Sequence, residues 1–180
     1  MNKTVLIPTD IAAKNIDSLN RSVVADVNVD NGAVFYLDGV STEAGQGEVF
    51  KYAEPNADNL GNLWMAYSPE VVVTVDGDFQ AKGIDANPAH FTNLAGVPFD
   101  AFKLQVGDLV QMTKEGFTND YSVSTPYAVA TAGSNKLTWS ANAIEGVTFK
   151  FVKAQPIIIG AGVIGNNAND AYIIECVGIN

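Results

Sequence analysis

The chain has 180 residues, 47% hydrophobic and 17% charged, which fits one domain with a buried core and argues against a disordered tail. Acids outnumber bases 20 to 10 and Arg21 is the only arginine. At a net charge of -10 the chain lacks the Lys/Arg clusters that neutralise phosphate or dock on anionic lipid, so neither nucleic acid nor membrane is expected as a partner.

The first 22 residues differ from the rest. Thr4-Val-Leu-Ile7 reads as a short strand or an extended arm stopped by Pro8. That apolar run is too short for a secretory signal, and no stretch approaches the ~18 apolar residues of a membrane span, so synthesis and assembly in the cytoplasm are expected. Thr9 and Asp10 offer an N-cap, and Ala12, Ile16, Leu19 and Val23 recur at helical spacing, which predicts one short helix. Residues 1–22 thus form an arm that packs on a neighbouring subunit or on its own domain. Residues 23–180 form a single β domain.

From Val23 onward the signals are those of strands. Val27 and Val29 alternate with acids and Asn28, and Asp30-Asn-Gly32 supplies turn chemistry before Ala33-Val-Phe-Tyr-Leu37. After a glycine-rich break come Glu48–Tyr52, a polar loop and Leu63–Tyr67. Glu70-Val-Val-Val-Thr-Val75 is rich in β-branched residues and reads as an interior strand, turned by Asp76-Gly-Asp78. Phe91–Pro98 carries Asn93, Gly96 and Pro98 and predicts a loop; Gly107-Asp108 then turns the chain into a strand over Leu109–Lys114. Residues 121–131 show the cleanest alternation, broken at Pro126, which predicts an edge strand or bulge. Leu137 and Trp139, then Val147, Phe149 and Phe151, repeat the pattern. Ile157–Ile159 and Tyr172–Val177 close the chain. About ten to twelve short strands with frequent turns predict an all-β fold, a β-sandwich or a barrel.

The chain offers little chemistry. Gly160-Ala-Gly-Val-Ile-Gly165 matches the dinucleotide fingerprint in letters, yet only 15 residues follow it and Asn166–Asp170 reads as a turn. The motif needs a helix and a distant acid, so the segment reads as a hairpin. Asp76, Asp78 and Asp85 offer oxygens for calcium, but Phe79 and Ala81 stand where ligands belong, so no metal is assigned. His90, the only histidine, rules out a multi-histidine metal site and reads as a loop residue. The only cysteine, Cys176, cannot close an internal disulfide and shares a strand face with Tyr172 and Ile174, so it reads as a small buried hydrophobe. Trp64, Tyr67, Phe117 and Trp139 could stack on a sugar, as in a carbohydrate-binding module, or fill the core; core is the stronger reading. No catalytic residue and no cofactor is predicted, and the chain is not expected to be an enzyme.

Phe91-Thr-Asn93, Ala95-Gly-Val-Pro98, a short apolar run, Gly107-Asp108 and Thr113-Lys-Glu115 follow in an order that resembles the head decoration proteins of tailed bacteriophages. Asn31-Gly-Ala-Val-Phe-Tyr-Leu37, Trp64-Met-Ala-Tyr-Ser-Pro-Glu-Val71 and Gly133-Ser-Asn-Lys-Leu-Thr138 are similar to the same family, so the resemblance spans residues 31–140. It implies a non-catalytic protein on the outside of the virion that binds the major capsid protein and stabilises the head. It also implies a homo-oligomer, a trimer by analogy, with Thr4, Val5, Leu6 and Ile7 as contacts to the shell or a neighbour. A head-fibre base, neck or tail component shares the same profile.

Overall fold

The structure is a computed structural model that describes residues 2–43, 47–69, 73–76, 79–82, 87–159 and 168–179. The chain is all-β. In order, its strands are β1 (Leu6–Asp10), β2 (Asn20–Val24), β3 (Val34–Val40), β4 (Val49–Ala53), β5 (Trp64–Ala66), β6 (Val73–Asp76), β7 (Phe79–Lys82) and β8 (Phe99–Lys103). They continue as β9 (Leu109–Thr113), β10 (Tyr127–Val129), β11 (Thr138–Ser140), β12 (Val147–Ala154), β13 (Ile157–Ile158), β14 (Ala168–Asn169) and β15 (Ala171–Ile179). The helical content described is confined to three-residue 3-10 turns.

Five strands close a barrel in the order β2-β4-β3-β5-β8, with β2 and β4 parallel and the remaining neighbours antiparallel. Six others form a sheet, β1-β9-β15-β12-β10-β11. Alternation along the strands links the two bodies. Phe35, Trp64, Ala66, Phe99 and Ala101 fill the barrel with Val23, whereas their chain neighbours Val34, Met65 and Phe102 point outward into a larger core. There they meet one face of the six-stranded sheet: Leu6, Val110, Met112, Ala128, Trp139, Phe149, Ile174 and Cys176. β3, β5 and β8 thus bury apolar side chains on both faces over this stretch, while Asp38 on β3 and Asp100 on β8 stay exposed. Burying a side chain such as Phe35 or Phe102 stabilises by roughly 1.5–3 kcal/mol.

Both outer edges of the six-stranded sheet are closed. At β1, Thr113 N–H donates to the Val5 carbonyl, so by alternation Pro8 turns its nitrogen, which carries no hydrogen, to the open side. Lys14 Nζ covers the Pro8 and Thr9 carbonyls at 3.0 and 2.9 Å. At β11, the Asn119 side chain replaces a strand: it accepts from Trp139 N–H at 2.7 Å and donates to the Trp139 carbonyl at 3.1 Å.

Several expectations are revised. The N-terminal segment is built into the sheet as β1, and the expected short helix is two 3-10 turns, Ala12–Lys14 and Asp17–Leu19. Local bonds from Lys14 and Asn20 to backbone carbonyls hold those turns. Of the alternating stretch 121–131, only 127–129 is strand. Ser122 and Thr125 instead exchange hydroxyl–backbone bonds that close a turn, the competition by which short polar side chains displace ladders. Of the expected interior strand at 70–75, residues 73–75 belong to β6, which pairs with β7 alone among the described residues; residues 70–72 lie outside them. The Asp76-Gly-Asp78 turn beyond Asp76, Asp85, and the glycine-rich segment 160–165 also lie outside.

Gly107-Asp108 ties the sheet to the N-terminal turns. The Asp108 carboxylate, 2% exposed, accepts from Ala12 N–H at 2.9 Å and Gln105 N–H at 2.8 Å. Burial pushes its carboxyl above the ordinary carboxylate range, against the pull of these two donors, and Asp10 adds to the rise. The folded chain therefore holds this proton to higher pH than the unfolded chain. The group's contribution to stability is greatest at or below the ordinary carboxylate range and declines as pH rises through the shifted value. Urea midpoints of Asp108→Asn measured across that range should lack this decline.

Gly32, at φ +83°, sits where a Cβ would lie 2.6 Å from Met112 Sδ in the larger core. Gly32→Ala should cost about 2 kcal/mol through backbone strain and overpacking, read as a lower urea midpoint with an unchanged slope.

Candidate functional site

Three loops that are distant in sequence meet at the end of the barrel. Asn31, fully buried, donates to the Ser68 carbonyl and accepts from Ser68 N–H, both at 3.0 Å. Asn93 donates to Asn31 Oδ1 at 3.2 Å and to the Val29 carbonyl at 2.9 Å, and bridges Val29 as an isolated ladder pair. The Ser68 hydroxyl accepts from Asp100 N–H at 2.9 Å. The Asn of Asn31-Gly, the Ser of Trp64–Pro69 and the Asn of Phe91-Thr-Asn93 are therefore parts of one network. Its partners close on each other, which marks it as a structural pin, not a ligand site.

The contact residues expected at the N-terminus divide by strand alternation. Leu6 enters the larger core, Val5 enters a satellite cluster with Ala89, Ile157, Ile159 and Ala171, and Thr4 is buried. Only Ile7 presents its side chain outward, 42% exposed. Together with Tyr67, Pro69, Pro88 and Ile158 it lines a groove of about 410 Å³ whose lining carries no charge among the described residues. Ile158 is 77% exposed there, a large apolar surface on a chain of net charge -10.

The other candidates resolve as packing. Trp64, Phe117 and Trp139 are buried, so the four aromatic residues do not form a stacking platform; Tyr67 alone is exposed. Phe117, Tyr121, Trp139, Phe151 and Tyr172 instead pack ring on ring at the rim of the larger core, with Tyr121 and Phe151 stacked at 4.2 Å. Cys176 is buried, its thiol donates to the Gly178 carbonyl, and burial pushes its pKa up to about 12, which leaves it unreactive. His90 is exposed at the end of the Pro88–His90 turn, its Nε2 3.4 Å from the Asn87 amide. Among the described residues no group of three or more His, Cys, Asp or Glu could hold a metal, and no helix is long and apolar enough to cross a membrane.

Two residues were passed over in the sequence. Asn119 plugs the β11 edge, and its only signal is an Asn-Asp pair between two predicted strands. Arg21 stands at the barrel mouth with its guanidinium carbon 5.6 Å from the Phe50 ring centre and 5.8 Å from that of Trp64. Its signal was present: a lone arginine in an acidic chain.

Because Asn31 serves two loops at once, Asn31→Ala leaves the Ser68 backbone without partners in a buried setting. A loss of about 3 kcal/mol is expected in chemical denaturation, against less than about 0.5 kcal/mol for Asn142→Ala on an exposed loop.

Compared with protein-family models, curated proteins and solved structures, the chain matches none.

Proposed function

We propose that this chain is a tailed-phage head decoration protein, which binds the major capsid protein on the outer surface of the shell and stabilises the lattice without catalysis. One observation carries the reading. Three of the segments by which the chain resembles that family, Asn31–Leu37, Trp64–Pro69 and Phe91–Asn93, converge on a single buried network. Short motifs of low individual specificity gain weight when they are interlocked parts of one folded unit.

The surface suits such a role. A net charge of -10 keeps a crowded particle exterior soluble. The groove at Ile7, Tyr67 and Ile158, which Val5 and Leu6 also line, gives the shell contact an apolar footing; Ile7 offers the exposed side chain of the four, and Thr4, Val5 and Leu6 are buried. Many copies held in fixed geometry need only a modest interface each, because avidity multiplies weak contacts. Binding the assembled lattice but not free subunits stabilises it by mass action. A homo-oligomer, a trimer by analogy with the family, would place several grooves on one capsomer junction.

Quantitative mass spectrometry of particles pelleted from producing cells tests the proposal. A ratio to the dominant shell protein near one, or a simple fraction of it, is expected. A few copies per particle would move the chain to the neck, tail or a fibre base, and absence from particles would overturn the virion role.

A further inference from the structure

Arg21 lies on β2 two residues from Val23, on the face that turns into the barrel, so its stem enters the barrel mouth. The rings of Phe50 and Trp64 hold its guanidinium, and one terminal N–H donates to the Asn20 carbonyl at 2.8 Å. The chain carries 20 acids, yet among the described residues no carboxylate lies within ion-pair distance of this arginine. Two open clefts meet at it. One, about 520 Å³, runs past Lys14, Tyr67, Pro69 and Asp100; the other, about 480 Å³, runs toward Val40, Glu48 and Phe50.

We propose that Arg21 is a carboxylate-recognition site, which receives an Asp or Glu side chain of a partner polypeptide lying along the clefts. A planar fork fixed on aromatic rings is organised in advance for two parallel N–H···O bonds, and little side-chain freedom remains to be lost on binding. Tyr67, 41% exposed, and Pro69 supply an apolar wall for the peptide around the acid. Asp100 lines one cleft and Glu48 the other, so a doubly charged phosphate meets about twice the repulsion that a single carboxylate meets there. Lys14 donates to the Pro8 and Thr9 carbonyls and adds positive charge to the wall. The inference stands independently of the virion role, since it concerns the isolated chain.

The test is an NMR titration of the labelled protein with N-acetylglutamate N-methylamide, with its glutamine counterpart, and with inorganic phosphate. The glutamate probe should shift the Arg21 Nε–H and the Trp64 indole saturably, with a midpoint on the order of 10 mM, as one charge-assisted pair allows. The glutamine probe should not, and phosphate should bind more weakly. Arg21→Met keeps an apolar stem over Phe50 and Trp64 and should abolish the response; Arg21→Lys should weaken it several-fold. Equal responses to the two amino-acid probes, tighter phosphate binding, or unchanged binding by Arg21→Met would overturn the site. The wild-type comparison of glutamate with glutamine decides the question even where a variant fails to fold.

Discussion

Three strands of this protein are buried on both faces where the barrel meets the sheet, and that constraint organises the rest. There β3, β5 and β8 give one side to the barrel interior and the other to the six-stranded sheet, so a polar residue at Val34, Phe35, Trp64, Met65, Ala66, Ala101 or Phe102 would be buried. A set of strands with two dry faces solves packing along its length and leaves the difficulty at its ends, where backbone groups leave the ladders still buried. The Asn31–Ser68–Asn93 network lies at such an end and supplies those missing partners. Side-chain amides suit the task because each offers donors and an acceptor in one plane, matching a peptide group.

The same close approach explains two glycines. Met112 reaches from β9 toward the barrel, and a Cβ on either Gly32 or Gly116 would overlap its thioether. The backbone before β3 at Gly32 and the turn at Gly116 both lie against this one side chain, so neither position has room for a Cβ unless Met112 moves.

Much of the fold was legible because it rests on local rules. The period-two runs at 34–37, 109–113, 147–151 and 172–177 are strands, and Gly107-Asp108 is the turn its letters predict. Strand pairing was not legible. Nothing in the sequence says that β1 lies beside β9, about a hundred residues away, so Thr4–Ile7 could be read as an arm. Alternation at 121–126 misled for a physical reason: its polar members are hydroxyl residues that bond their own backbone more cheaply than they join a sheet. The site was less legible still. Arg21, Phe50 and Trp64 belong to three strands and meet only when the barrel closes.

The treatment of the sheet edges limits how such a chain can associate. A free edge would accept a strand from any partner, including a second copy, through backbone groups that carry no sequence information. Here Pro8 and Lys14 close one side and Asn119 the other. These devices suppress strand addition, the least selective mode of assembly, and they matter most for a protein concentrated at high local density. Recognition through the six-stranded sheet is then left to side-chain surfaces. Two surfaces of the chain have complementary chemistry: a groove beside Ile7 on the sheet side, without charge among the described residues, and a single arginine fixed at the barrel mouth of a strongly acidic chain. The groove rewards any apolar partner, whereas the arginine rewards only one with a carboxylate at the right place. Affinity from the first and selectivity from the second would together specify a partner that neither could specify alone.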